Sequence, residues 1–235
     1  MAFTTIRSHN LARAVTRAST RLIASGAAAL ALAACASLPA PAPAPELFDF
    51  GVLYEQASAV APQQPHPPLM LAQVTANGLP TSSDLVLYRF AYLDGYALRA
   101  YQQARWSRPV EELVAQQLRQ QLAQRGPVLE PGVRVRQPDG QIPFVLRVDI
   151  EQFEQRFVSA QESEALVRLR ATAMAPGEGG DRLLGQQVFT QRVPAATPDA
   201  AGGTRAMAIA VQQLGAQLDQ WLNTVLPAGR GVGPE

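Results

Sequence analysis

The sequence predicts an α+β fold: a single domain in which an antiparallel or mixed sheet carries two long helices packed on one face. Three observations carry this expectation. Two segments, one opening near Pro109 and one at Pro198-Asp199, repeat apolar residues every three or four positions, the period of a helix with one buried face. Between and before them lie short runs in which apolar and polar residues alternate, the period of a strand. About seven strands with two segregated helices fit α+β rather than a strict strand-helix alternation.

Taken in chain order, residues 47–53 and 69–74 read as two strands, separated by a loop over 55–68 rich in Gln, Ala and Pro. Residues 85–90 and 96–101 flank Leu93-Asp94-Gly95, where Asp-Gly is expected to supply the positive φ angles of a hairpin turn. The interleaved Tyr88, Tyr92, Tyr96 and Tyr101 suit either a ligand-stacking surface or cross-strand pairs, and such pairs are common sheet stabilisers. A helix then begins at Ser107 or Arg108, with Pro109 where its missing N–H costs least, and is expected to end at Gly126. Val110, Leu113, Val114, Leu118 and Leu122 share one face of it. Its polar face is mostly glutamine, which favours docking on a sheet over lying on a membrane.

Residues 144–151 alternate apolar and charged side chains and are expected to pair with 165–171, leaving one face apolar and the other charged. The charged set, Arg147, Arg168 and Arg170 with Asp149 and Glu151, reads either as a functional groove or as cross-strand ion pairs on a solvated face, the second being the default. Gly177-Glu178-Gly179-Gly180 lacks the lysine of a phosphate loop and reads as a turn before a further strand at 183–189. In the last helix Met207, Val211, Leu214, Leu218, Trp221, Leu222 and Val225 form the buried stripe. Residues 46–226 form the expected domain, and 227–235 a disordered tail.

The N-terminal part has a different character. Arg7, Arg13, Arg17 and Arg21 precede a short apolar run, residues 22–32, and then Leu32-Ala33-Ala34-Cys35. A basic flank, a short apolar run and small residues describe an export signal, and the run is about half the roughly 20 residues a spanning helix needs. Because the signal ends on the only cysteine, residues 1–34 are expected to be a lipoprotein signal peptide and Cys35 the lipid-attachment site. Residues 35–45 then comprise the acylated cysteine and a Pro/Ala tether that can neither form a helix nor pair as a strand. At about 3.1 Å per residue, positions 36–45 would reach on the order of 30 Å. Ala rather than Asp at position 36 favours the outer membrane.

Composition narrows the chemistry. Residues 1–34 hold four of the 20 basic side chains and none of the 19 acidic ones, which leaves 16 against 19, a balance of −3 that argues against a nucleic-acid partner. His66, in Pro65-His66-Pro67-Pro68, is the one histidine beyond the signal, and no thiol remains once Cys35 is acylated. No catalytic residue, metal site or bound cofactor is therefore expected, apart from the covalent lipid on Cys35. Glu111-Glu112 sits in a helix first turn, where acids are favoured for structural reasons.

Several ordered motifs carry a family resemblance. Leu87-Tyr88-Arg89, then Tyr101, Arg105-Trp106, Pro109 and Glu112-Leu113, then residues 149–155 with 167–171, and finally Asp219-Gln220-Trp221-Leu222 resemble the ABC-type transport auxiliary lipoprotein family over about residues 46–222. Asn77-Gly78-Leu79-Pro80 stands where that family often has a tryptophan. The resemblance implies an outer-membrane lipoprotein facing the periplasm. Its implied partners are an MCE-domain protein and an ABC transporter permease and ATPase that move lipids or hydrophobic molecules between the two membranes. A periplasmic lipid-binding carrier and a structural lipoprotein of another envelope assembly machine stay open as alternatives, as does a homo-oligomer.

Overall fold

A computed structural model describes residues 43–51, 65–80, 84–132 and 142–227. The expected signal peptide, Cys35, most of the tether, most of the 55–68 loop and the tail from residue 228 lie outside the described residues. The elements are β1 (Glu46–Phe48), β2 (Leu69–Leu71), β3 (Leu85–Phe90), β4 (Leu98–Trp106), helix α1 (Val110–Leu122), β5 (Val128–Leu129), β6 (Phe144–Phe157), β7 (Ser163–Ala175), β8 (Arg182–Pro194) and helix α2 (Ala200–Val225). The eight strands form one mixed sheet.

The sheet is organised around β6. One edge of this 14-residue strand pairs antiparallel with β7, as the sequence leads one to expect, and β7 pairs onward with β8. The other edge is shared by two parallel strands set end to end: β2 along residues 144–146 and β3 along residues 155–157. Thr75 bridges the gap opposite Asp149. β5 continues the β2 side, and β4 then β1 continue the β3 side. β1 runs parallel to β4, Glu46 opposite Ala104 and Phe48 opposite Trp106.

A bulge explains why β6 is longer than its alternation predicts. Ile150 faces Leu169 and Gln152 faces Arg168, so Glu151 is an extra residue without an opposite number. The insertion shifts the period by one and returns Phe153 and Phe157 to the face already occupied by Leu146, Val148 and Ile150. Gly78 lies on the bulge with its N–H donated to Ile150 O, and a Cβ there would come within 2.2 Å of Glu151 O. Glycine at 78 is what permits that approach.

Both helices cover the same face. Val110, Leu113, Val114, Leu118 and Leu122 of α1 and Met207, Val211, Leu214, Leu218 and Leu222 of α2 are buried in one core with the inward residues of β6 and β7. Each such large aliphatic side chain contributes about 1.5–3 kcal/mol on burial. The helices touch where Gly215 faces Gln121. A Cβ at 215 would fall 1.7 Å from Gln121 Oε1, and the glycine lets Gln121 Nε2 donate to Gln212 O at 3.0 Å.

Four local expectations need correction. β1 spans three residues because Asp49 accepts from Gly51 N and Gly51 turns at φ 76°. α1 begins at Val110, with Pro109 as its extended cap (φ −48°, ψ 136°) while Ser107 N still donates to Phe48 O. It ends at Leu122, four residues before Gly126, and Gly126 has no positive φ. Its lack of a Cβ makes room for His66 instead, whose Nδ1 would lie 2.6 Å from one. Gly95 likewise lacks a positive φ, so β3 and β4 are joined by a seven-residue loop, 91–97, and not by a two-residue Asp-Gly turn.

Candidate functional site

The face of the sheet away from the helices carries the charged set singled out from the sequence. Glu151, placed outward by the bulge, accepts from Arg168 Nε at 2.6 Å and from Arg170 Nε at 2.7 Å. These two guanidinium groups hold its carboxyl below the ordinary carboxylate range. Asp149 accepts from Thr75 Oγ1 at 2.7 Å and from Asn77, fixing the segment that bridges β2 and β3. Arg147 is exposed. The set forms cross-strand pairs on an open face; its carboxylates are occupied by neighbours.

Nearer the β3–β4 loop, Glu154 is buried and binds Arg89 in a two-pronged pair, with Nε to Oε1 at 3.0 Å and Nη2 to Oε2 at 3.1 Å. That hydrogen-bonded carboxylate raises the Arg89 pKa further above its usual value. Arg89 Nη1 also donates to the carbonyls of Gly95 and Tyr96, tying the loop back to the sheet.

The four tyrosines divide. Tyr88 and Tyr101 pack as a pair with ring centroids 4.6 Å apart, and Phe90 and Phe157 complete the cluster. Tyr101 donates to Gln155 Oε1 at 2.9 Å, and burial pushes its phenol well above its ordinary pKa. Gln155 is fully buried and passes the chain on by donating Nε2 to Ser163 Oγ at 2.8 Å. Gly203 in the first turn of α2 leaves space for it, since a Cβ would meet Gln155 Oε1 at 2.1 Å. Asp199 caps that helix by accepting from Gly202 N, which lowers its pKa. Tyr92 and Tyr96 instead stand exposed on the loop.

His66 is a structural residue. It is buried, with Nε2 2.8 Å from Leu122 O and Nδ1 2.8 Å from Pro67 O, which sets the ring against the C-terminal end of α1. Arg125, just beyond that end, binds Asp219 of α2 at 2.5 Å and Asn223 at 2.7 Å. The sequence offered no signal for this clamp, because 94 residues separate its carboxylate from its guanidinium. Glu111 and Glu112 line a groove of about 290 Å³ with Leu71, Val74, Ala115 and Arg119. Among the described residues, no group of three His, Cys, Asp or Glu side chains is placed to hold a metal ion, and no helix is long and apolar enough to cross a membrane.

The class that this architecture defines is an α+β domain that offers surfaces: a filled core under two helices, an open charged sheet face and an exposed aromatic loop. The fold is shared with the crystal structure of a Xanthomonas campestris protein, at 18% identity and a TM-score of 0.57, covering 70% of this chain and 90% of that one. A second crystal structure, of an uncharacterised protein, aligns at 13% identity and a TM-score of 0.53, covering 77% of this chain and 99% of the other. No curated protein matches the sequence. Residues 52–219 match the family of ABC-type transport auxiliary lipoprotein components, and the chain belongs to that family. It is a family of membrane-anchored envelope lipoproteins associated with ABC transport systems, and not an enzyme family.

Proposed function

We propose that the protein is an outer-membrane lipoprotein facing the periplasm, acting as the adaptor of an MCE-type ABC transport system that moves lipids or other hydrophobic molecules between the inner and outer membranes. The family match over residues 52–219 is the observation that carries this reading. Residues 1–34 act as the signal peptide, Cys35 takes the lipid, and positions 36–45 provide the reach that lets the domain meet an MCE assembly. The acyl chains are the only non-protein group the reading requires.

Between the adaptor and the carrier, the core favours the adaptor. Trp106, Phe153, Leu118, Leu146, Ile150, Met207 and Leu214 fill the space between sheet and helices where a carrier would place its ligand. The groove beside α1 is a mixed surface cleft, with Leu71, Val74 and Ala115 beside Glu111, Glu112 and Arg119, and it lies outside that core. Native-expression pull-down from detergent-solubilised membranes is the test. Recovery of an MCE-domain protein with its permease and ATPase is expected, and recovery of none of them would sink the proposal. Native mass spectrometry of the same material should give the protein mass without co-purified lipid beyond that on Cys35.

A further inference from the structure

We propose that the loop joining β3 to β4 is a membrane-contact tip, which seats Tyr92, Leu93 and Tyr96 in the interface of the bilayer that holds the lipid on Cys35. The inference rests on the acylation of Cys35 and goes beyond it by giving the folded domain its own lipid contact and hence an orientation.

The first support is the distribution of exposed apolar groups. Tyr96 is 93% exposed, Leu93 70%, and Tyr92 and Val158 42% each. The first three lie in the 91–97 loop, and Val158 follows Phe157, which pairs with Phe90 at the foot of that loop. Leu98, also exposed, opens β4 beside them. Tyrosine with leucine is the composition of a water–lipid boundary, where the ring enters the interface and the hydroxyl stays wet.

The second support is how the loop treats its own backbone. The N–H groups of Leu93 and Asp94 donate to Phe90 O, Ala91 N donates to Phe157 O, and Tyr96 N donates to Asp94 Oδ1. The carbonyls of Gly95 and Tyr96 accept from Arg89. This pairing holds the loop in one shape, so its exposed side chains can meet a surface without first paying to order the backbone. Asp94 is the one charged side chain in 91–98, and it is engaged by the Tyr96 N–H. Arg99 lies over the Phe90 ring, 5.6 Å from its centroid.

The third support is where the chain joins the sheet. Because β1 runs parallel to β4, the residues leading into Glu46 come from the end of the sheet at which β4 begins, the same end as the 91–97 loop. From Ala104, opposite Glu46, six strand residues lead back to Leu98, about 20 Å at 3.3 Å per residue. A tether of about 30 Å reach therefore lets anchor and tip meet one surface together. Tethering raises the local concentration of the tip at that surface, so a contact too weak to hold a free protein suffices.

The test uses the full-length, processed protein in vesicles of phosphatidylethanolamine and phosphatidylglycerol that contain nitroxide-labelled lipid. Cys35 is the only native cysteine and is consumed by acylation, so Tyr96→Cys gives one labelling position, and Leu183→Cys, exposed at the opposite end of the sheet, gives the control. Lipid quenching of the fluorophore at 96 is expected to exceed that at 183 by about threefold or more, and to fall when Leu93→Glu is added. Intact mass reads the anchor separately. An acylated chain whose two labels are quenched equally overturns the tip and keeps the anchor, whereas an unacylated chain, repeated with Cys35→Ser so that its free thiol takes no label, that is quenched at 96 and not at 183 supports the tip and removes the anchor. A label at 96 shielded without vesicles, in a particle of twice the mass, assigns the tip to a second copy and overturns the lipid contact.

Discussion

Along β6 and β7, the side turned to the helices and the side turned away are made by the same two strands in opposite ways. Toward the helices stand Leu146, Val148, Ile150, Phe153, Val167 and Leu169, and the polar groups among them are satisfied, Gln155 being bonded to Tyr101 on one side and to the buried Ser163 on the other. Away from them stand Arg147, Asp149, Glu151, Arg168 and Arg170, of which Glu151 is held by Arg168 and Arg170 in ion pairs that water can reach and Asp149 by hydrogen bonds from Thr75 and Asn77. The comparison teaches that stability resides on the covered side, where each atom displaced has no solvent to replace it. The open side keeps a charge pattern at small energetic consequence, because solvated pairs contribute little.

The sharpest way to break this contrast is to put the same change on neighbouring residues of opposite faces. Val148→Asp places a carboxylate in the core without a partner and is expected to cost more than about 4 kcal/mol, leaving little folded protein. Arg147→Asp, one residue away and exposed, is expected to stay within about 0.5 kcal/mol of the parent. Urea denaturation followed by circular dichroism reads both, and similar midpoints for the pair would refute the division.

The next largest effect should come from the clamp between the helices. Arg125→Ala strands the poorly exposed Asp219 and is expected to lose about 3 kcal/mol, measured as a lowered urea midpoint. A smaller loss, about 1–3 kcal/mol, is expected of Gly203→Ala, whose methyl must displace Gln155 from its place between Tyr101 and Ser163. If Gly203→Ala were neutral or stabilising, the close approach would not matter, because alanine otherwise favours a helix.

The smallest effect sharpens the open side. The Glu151 carboxyl is held below its ordinary pKa by Arg168 and Arg170, so its contribution is present above the unfolded-state value and is lost as pH falls through the folded one. Glu151→Gln should therefore cost no more than about 1 kcal/mol near neutrality and nothing in strong acid. The variant's stability should vary less with pH than the parent's on the acid side, and parallel acid limbs would argue against the pair.

Much of the fold was legible because local periodicity reports burial. The stripes of α1 and α2 and the strands at 144–151 and 165–171 follow from period, and the two strands do pair, but the register does not follow: residues 145–150 lie opposite 169–174, and 165–168 lie opposite 152–155. The alternation in β6 stops being readable at Glu151, where the bulge shifts the phase, so Phe153 and Gln155 escape notice as core residues. The tyrosines show the same limit. Four similar residues in one hairpin suggest one role, yet Tyr88 and Tyr101 serve the sheet while Tyr92 and Tyr96 leave it. The Asp-Gly pair misled because Arg89 and the Asp94 side chain fix the longer loop without a left-handed glycine.

The sequence by itself determined the two amphipathic helices, the strand pattern and the family, since each is written in neighbouring residues. The tertiary structure decided what depends on residues far apart: the parallel seats of β2 and β3 on a single edge of β6, the glycine contacts at 78, 203 and 215, and the end of the sheet from which the chain enters β1. Parallel pairing and close backbone approach leave no short-range period, because the partner that selects each residue lies tens of positions away. For the same reason only the direction of β1 shows that the chain enters the sheet from the end that carries the exposed tyrosines.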